Sequence, residues 1–322
     1  MTSTRELGIA VAGAGAFGIK HIEALQNVPG ARLVSLVSRA EDDPAAVAAK
    51  FAIPHVSTDL SLGEVVARAD VDAVILATPT PLHASQAMAC LRAGKHVAVE
   101  IPMADRLADA EALVELQQST GLVAMCGHTR RFNPSHQWVR RRILAGELSI
   151  QHLDVQTFFF RRSNINALGK PRVWTDHLLW HHAAHTIDLF AYQTGSSIAS
   201  TNAIAGPLHP ELGIAMDMSI QLKAETGALC TLTLSFNNDG PLGTFFRYIC
   251  DNGTYLARYD DLVDGREMPI DVSGVDVSMN GVELQDREFV AAILEGREPN
   301  ASVRSVLPAY QVMDGLEKQL EG

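Results

Sequence analysis

Residues 174–190, WTDHLLWHHAAHTIDLF, gather His177, His181, His182 and His185, four of the twelve histidines in the chain. Imidazole is the side chain that takes or gives a proton near neutral pH, and it is a common metal ligand. The spacing predicts a helix over this stretch, with His181 and His185 one turn apart on one face and Asp188 further along. Leu178, Leu179, Ile187 and Leu189 would anchor it in a core. Histidines carried on one rigid element suit acid–base work or metal ligation. The plainer alternative is a helix whose rings only pack and hydrogen-bond.

Two arginine pairs add charge to this picture. Arg130-Arg131 and Arg161-Arg162 each follow a strand-like run. Either pair alone reads as solvated surface. Together with the histidines they suggest a pocket for a substrate with more than one carboxylate, because the guanidinium is a planar bidentate partner for that group. Arg140, Arg141 and Arg142 read as the outer face of a helix.

The elements that must position these residues begin with a nucleotide fold. LGIAVA at 7–12 is a short apolar run, followed by Gly13-Ala14-Gly15-Ala16-Phe17-Gly18 and a helical IKHIEALQNV. In G-x-G-x-x-G the first glycine makes the turn, the second lets backbone approach a pyrophosphate and the third lets helix pack on strand. The helix start supplies free N–H groups to the phosphates. A second strand follows at Arg32–Val37. At its end, Ser38-Arg39 stand where an acidic residue would mark NAD, so the hydroxyl and guanidinium favour the 2′-phosphate of NADP. Glu41, Asp42 and Asp43 just beyond weigh against that preference unless they are solvated.

The alternation continues through a strand at 71–77, helix, strand at 95–100, helix and strand at 122–128. This predicts a doubly wound parallel sheet, hence a Rossmann domain over 1–127. Ligands bind off the carboxyl ends of such strands. Those ends carry Thr78, Pro79, Thr80 and His83, then Glu100 and Ile101, then Gly127–Arg131. From 128 to 322 the pattern becomes strand-rich, with turn signals at Thr226-Gly227, Asn252-Gly253 and Asp264-Gly265. An α+β domain with an open, mostly antiparallel sheet is expected, one face covered by the histidine helix.

Composition bounds the classes. The chain has 322 residues, 47% hydrophobic and 20% charged, with a net charge of −11. The negative charge argues against nucleic acid. No apolar run approaches the ~20 residues of a membrane span, and the first residues lack a signal-peptide pattern. Four scattered cysteines without CxxC spacing read as buried thiols of a reducing cytoplasm. An exposed apolar sheet face in the second domain would call for a homo-oligomer, a dimer or tetramer.

GAGAFG at 13–18, ATPTPLHA at 77–84, GKHVAVEIP at 94–102, RRFNP at 130–134 and HHAAHTIDLF at 181–190 resemble the Gfo/Idh/MocA family of oxidoreductases. The resemblance covers nearly the whole chain. It implies hydride transfer between NAD(P) and a hydroxyl carbon, often of a sugar, and a homo-oligomer. Two positions depart from the family. Its Glu-Lys-Pro, with the lysine as acid–base group, has Ile101 here, and its Asp-x-x-x-His becomes His181-x-x-x-His185. The longer strings GHTRRFNPSHQ, FFFRRSN and SFNNDGPLGTFFRYICDNGT resemble a subgroup acting on a carboxylated cyclic hemiacetal, with NADP+ as acceptor. A hemiacetal hydroxyl is acidic enough for a neutral imidazole to serve as base.

On this reading His185 is the leading base and His181 its alternative or relay partner. His182 is a weaker catalytic candidate that helps bind substrate, whose carboxylates go to Arg130 and to Arg161 or Arg162. Asp188 either orients an imidazole or is a core acid. The competing readings are another NAD(P)-dependent hydroxyl-carbon dehydrogenase on a carboxylated substrate, a non-catalytic NADP-binding sensor, and a metal-dependent lyase or hydrolase built on the i, i+4 histidines, with no third ligand obvious.

Overall fold

Short, wholly apolar runs alternate with helices in the first part of the chain, as a parallel sheet covered on both faces requires. The computed structural model describes residues 6–165, 169, 171–172, 174–273 and 281–321. β1 (Leu7–Ala12), β2 (Ala31–Val37), β3 (His55–Ser57), β4 (Ala73–Leu76), β5 (His96–Val99) and β6 (Ala124–Cys126) form a sheet in the order β3-β2-β1-β4-β5-β6. All five pairings are parallel. Every residue of β1 and β4 is buried. The helices are α1 (Ala16–Leu25), α2 (Pro44–Lys50), α3 (Gly63–Val66), α4 (His83–Arg92) and α5 (Leu107–Thr120). The strand order reverses at β1, the crevice where such sheets bind nucleotides.

The first compact unit comprises residues 1–127 and Val282–Leu307. Residues 282–307, assigned from sequence to the second domain, therefore group with the nucleotide fold. The reason is α8 (Val282–Glu295), which packs on α1. It places Asp286 against His21, and a Cβ added at Gly30 would lie 2.9 Å from the Leu294 side chain. α9 (Val303–Glu321) begins in this unit and belongs to the second from Pro308.

The second unit, His128–Gly281 with Pro308–Gly322, is built on a seven-stranded sheet. Its strands are β7 (Ile150–Phe158), β8 (Ile198–Ala205), β9 (Asp217–Ala224), β10 (Leu229–Ser235), β11 (Gly243–Cys250), β12 (Gly253–Arg258) and β13 (Asp261–Asp264), in the order β13-β12-β11-β7-β10-β9-β8. Pairing is antiparallel except between β7 and β10. β9 alternates exposed and buried residues along its whole length, so one face is covered and the other open. α6 (Pro134–Leu144) and α7 (Ala184–Thr194) belong to this unit, and α7 packs against β7.

The histidine stretch is not one α-helix. Residues 174–177 precede it as irregular chain, Leu178–Ala183 form π-helical turns, and α7 starts at Ala184. Wide turns of this kind recur at functional sites. They change the angle between His181 and His185 from the simple α-helical face. Leu178, Leu179, Ile187 and Leu189 are buried as expected, joined by Trp180. Each such side chain contributes about 1.5–3 kcal/mol by leaving water. Among the described residues no helix is long and apolar enough to cross a membrane.

Candidate active site

The glycine-rich turn has the geometry its spacing implies. Gly13 has φ +110°, and a Cβ there would sit 2.3 Å from the carbonyl oxygen of Ala77. A Cβ on Gly18 would sit 1.9 Å from the carbonyl oxygen of Gly13. A Cβ on Gly15 would meet nothing within 4 Å. The first and third glycines thus serve packing, and the second keeps open space beside the start of α1, where the first N–H groups of a helix lack intrahelical partners. Phe17 is half-exposed, with the Lys20 ammonium 4.8 Å from its ring centre. These residues fit the pyrophosphate of a dinucleotide.

At the end of β2, Ser38 accepts a hydrogen bond from the Ala14 N–H (3.1 Å) and donates to Asp42 Oδ2 (2.9 Å). Arg39 donates through Nε and Nη2 to the same Asp42 carboxylate, at 3.3 and 3.2 Å. Asp42 is therefore no merely solvated acid. It folds back on both residues expected to read the cofactor.

The loop after β4 is fixed from below. His83 holds both ring nitrogens 2.8 Å from carbonyls, those of Thr78 and Pro102. Thr78 donates to Gln86, which donates to the Leu60 carbonyl. Pro79 and the buried Thr80 complete this loop, and Ile101 follows the strand end that carries Glu100. Glu100 Oε1 accepts from Gln285 (3.2 Å) and faces His21 Nε2 (3.1 Å), while His21 Nδ1 lies 2.9 Å from both oxygens of Asp286. Burial acts to lower the pKa of His21, but attraction and hydrogen bonding from Asp286, then Glu100, push it up to about 10. Burial tends to raise Glu100, and the His21 hydrogen bond brings it below its ordinary value. His21 is thus a buried cation on the helix that follows the glycine-rich turn. A Cβ at Gly127 would lie 2.5 Å from Glu100 Oε1, so that glycine makes room for the carboxylate.

In the second unit the histidines and arginines meet as two groups. In the first, Asp176 is the centre. It forms ion pairs with Arg161 and Arg172, and its Oδ2 lies 3.2 Å from His182 Nε2. Burial would raise the Asp176 pKa, but hydrogen bonds from His182 and Arg161 hold it far below the carboxylate range. Arg161 also lies over Phe236, and the His182 ring sits between Phe159 and Phe236. Arg162 takes a different direction. It is exposed, bonds to Asn237 Oδ1 at 3.0 Å and lies over Phe160.

The second group surrounds His185. Its Nδ1 is buried and has no hydrogen-bond partner among the described residues. Burial first, then the charges of Arg130, His128 and His182, push its pKa well below the usual histidine value. It is a neutral imidazole at pH 7. Arg130 is buried over the Tyr259 ring and donates to Asn133. The His128 ring meets His185 edge-on at 6.0 Å.

His181 is set differently. Its Nδ1 accepts the His177 N–H at 3.2 Å, and its ring stacks on Trp174 at 5.2 Å. A neutral His181 therefore carries its proton on Nε2 and offers a donor there. Among the described residues Asp188 pairs with no ring of the histidine stretch. It holds Arg131 in a bidentate pair at 2.8 and 2.6 Å, with His128 Nδ1 3.4 Å away. His21, His128, Asp176 and Asp286 were not singled out from sequence for these roles. Only their partners, each distant in sequence or across a turn, reveal them. Among the described residues no group of three His, Cys, Asp or Glu side chains is arranged to hold a metal ion.

Comparison with known proteins adds three findings. The family profile described as "Oxidoreductase family, NAD-binding Rossmann fold" (GFO_IDH_MocA) matches residues 7–128, and "Bacterial oxidoreductases, C-terminal" matches 134–276. The chain is 69% identical over 313 residues to 4-carboxy-2-hydroxymuconate-6-semialdehyde dehydrogenase of Sphingobium sp. (strain SYK-6), covering 97% of this chain and 98% of that one. Among solved structures, levoglucosan dehydrogenase in complex with NADH superimposes with TM-score 0.87 at 18% identity, over 98% of this chain and 97% of that one. An oxidoreductase domain protein from Kribbella flavida gives TM-score 0.85 at 22% identity, over the same shares. At these identities the two structures share the fold.

Proposed function

We propose that this chain, which belongs to the Gfo/Idh/MocA oxidoreductase family, oxidises the cyclic hemiacetal of 4-carboxy-2-hydroxymuconate-6-semialdehyde to 2-pyrone-4,6-dicarboxylate, with NADP+ as acceptor. The 69% identity along the whole of a dehydrogenase named for that substrate carries the reading. It places the enzyme in the protocatechuate 4,5-cleavage route of aromatic degradation.

Bound at the glycine-rich turn, NADP+ would supply the hydride acceptor for the ring carbon that bears the hydroxyl. The protein supplies the rest. Gly13, Gly15, Ala16, Phe17 and Gly18 receive the pyrophosphate, and Ser38 with Arg39 favours a 2′-phosphate. Thr78, Pro79, Thr80, His83, Glu100 and Ile101 shape the strand ends off which the nicotinamide half binds. Ile101 brings no proton acceptor, so the hydroxyl proton goes to an imidazole. His185 is our choice, because it is neutral at pH 7 and its Nδ1 has no competing partner among the described residues. His185 would leave as imidazolium, and with the hydride passed to bound NADP+ the ring carbon would become the lactone carbonyl, NADPH being the other product. His181, a donor through Nε2, relays or orients.

Arg130 and Arg161 hold substrate carboxylates, with His182 beside Arg161 on Asp176, and Arg162, turned to Asn237 and Phe160, is the weaker candidate. Negative charge brought close to Arg130 would also raise the proton affinity of His185 and make it a better base.

The test is NADPH absorbance on adding the ring-cleavage semialdehyde, with NADP+ and NAD+ in parallel. NADPH formation supports the enzyme, whereas tight cofactor binding without reduction means a sensor. The open sheet face, with Ile204 68%, Leu229 44% and Ile249 36% exposed among polar neighbours, supports a homo-oligomer, checked by light scattering. All four cysteines are buried free thiols, which suits the cytoplasm.

A further inference from the structure

Two functional side chains in the first unit are already occupied by a third. The Asp42 carboxylate receives the Ser38 hydroxyl at 2.9 Å and the Arg39 Nε and Nη2 at 3.3 and 3.2 Å. A hydroxyl and a guanidinium converging on one anion is the donor set that a phosphate monoester recruits. The arrangement is built by the backbone. Residues Ala40–Asp42 form a single 3-10 turn just after β2, Ser38 and Arg39, which brings the Asp42 carboxylate back to those two side chains, and Asp43 leaves the turn in the left-handed region (φ 50°). Ser38 is buried and its hydroxyl also receives the Ala14 N–H, so the carboxylate is linked to the glycine-rich turn. The side chains of Arg39 and Asp42 are 33% and 18% exposed, a position shielded from water yet open to a ligand.

We infer that Asp42 is an internal stand-in for the 2′-phosphate of the cofactor and is the residue that limits discrimination between NADP and NAD. This rests on the NADP+ reading above. To seat a 2′-phosphate, Arg39 and Ser38 must exchange Asp42 for the ligand, and the displaced carboxylate then repels the incoming dianion. NAD needs no exchange, because Asp42 stays on Arg39 and has a lone pair for a ribose 2′-hydroxyl. The same carboxylate therefore taxes one cofactor and tolerates the other.

The experiment is direct titration of the purified protein with NADPH and NADH, followed by nicotinamide fluorescence, with 2′,5′-ADP and 5′-AMP as competing fragments. Wild type is compared with Asp42→Asn, Asp42→Ala and Arg39→Ala. Removing the charge at position 42 should tighten NADPH and 2′,5′-ADP and raise the ratio Kd(NADH)/Kd(NADPH) by about tenfold or more, one decade of affinity. Asp42→Asn keeps the size of the side chain, and an unchanged melting temperature shows that the turn persists. A ratio within twofold of wild type, or one that shifts toward NADH, overturns the inference; the second outcome would mean that Asp42 steadies Arg39 for the phosphate. Arg39→Ala separates the two readings. If it weakens NADPH about tenfold while the Asp42 variants leave the ratio unchanged, the phosphate site stands and Asp42 alone is dismissed. If it leaves NADPH unaffected, both fall.

Discussion

Asp188 and Arg131 form a buried bidentate ion pair, with Nε and Nη2 at 2.8 and 2.6 Å from the two carboxylate oxygens. Burial tends to raise the Asp188 pKa, and His128 and Arg131 bring it below the ordinary value. The carboxylate thereby fixes the segment that carries Arg130, the neighbour on the other side of the chain. Asp188→Asn should cost about 3–5 kcal/mol of stability, because it leaves a buried guanidinium without its counter-charge. The double variant Arg131→Met with Asp188→Leu should recover most of that loss in denaturant melts. No recovery would mean that the pair is needed for more than its charge balance.

His185→Gln should lower turnover by roughly 10²–10⁴, the range of general-base catalysis. NADPH binding should be unchanged. Because the pKa of His185 is pushed down, the base is already neutral well below pH 6.5, and wild-type kcat/KM should hold its value as pH falls through that region. An acid limb at or above the ordinary histidine pKa would count against His185 as the base. Turnover within twofold of wild type in the variant would rule out His185.

The three glycines of the turn should separate stability from binding. Gly15→Ala should fold with stability within about 1 kcal/mol of wild type, since its Cβ meets nothing within 4 Å and its φ of −75° suits alanine. The same change should weaken both cofactors by tenfold or more, as the methyl group takes the space of the pyrophosphate. Gly18→Ala should instead lower the melting temperature, because its Cβ would lie 1.9 Å from a backbone oxygen that cannot yield cheaply. Overpacking of this kind costs about 1–3 kcal/mol. Equal melting temperatures for the two variants would refute the division of roles.

His21 makes stability depend on alkaline pH. Its folded pKa of about 10 lies above the value of 6.5 in the unfolded chain, so the native state binds the extra proton. The resulting stability is fully present below pH 6.5 and is lost as pH rises toward 10. Denaturant melts across this window should show a fall in wild type that is reduced in His21→Asn. Identical slopes would mean that the ring is neutral in the folded protein.

Much of the fold was legible because its signals are local. The alternation of apolar runs such as VDAVILA with helices closed by glycines encodes β1 to β6, and period-two patterning encodes β9 and β10. The arginine and histidine candidates were visible as unusual local densities. What stayed hidden depends on contacts between distant residues. Asp188 lies 57 residues from Arg131, and nothing in DLF says that its partner is a guanidinium rather than an imidazole. Asp42 was visible as one of three acids weighing against NADP, but a 3-10 turn has no hydrophobic period to say which of them folds back on Ser38 and Arg39. The π-helical turns carry the same buried leucines that an α-helix would, so the pattern alone cannot separate them. The return of residues 282–307 to the first unit has no sequence signal at all, because an amphipathic helix does not state which core it covers.

That return has a consequence for biosynthesis. His21 emerges from the ribosome early, but the carboxylate that sustains its charge belongs to Asp286, 265 residues later. Domains synthesised first usually fold first. Here the first unit is completed only by residues 282–307, which follow the whole of His128–Gly281 in the chain. A chain cut short by stalling or a late stop codon would lack Asp286 and leave the helix after the glycine-rich turn holding an imidazole with half its counter-charge.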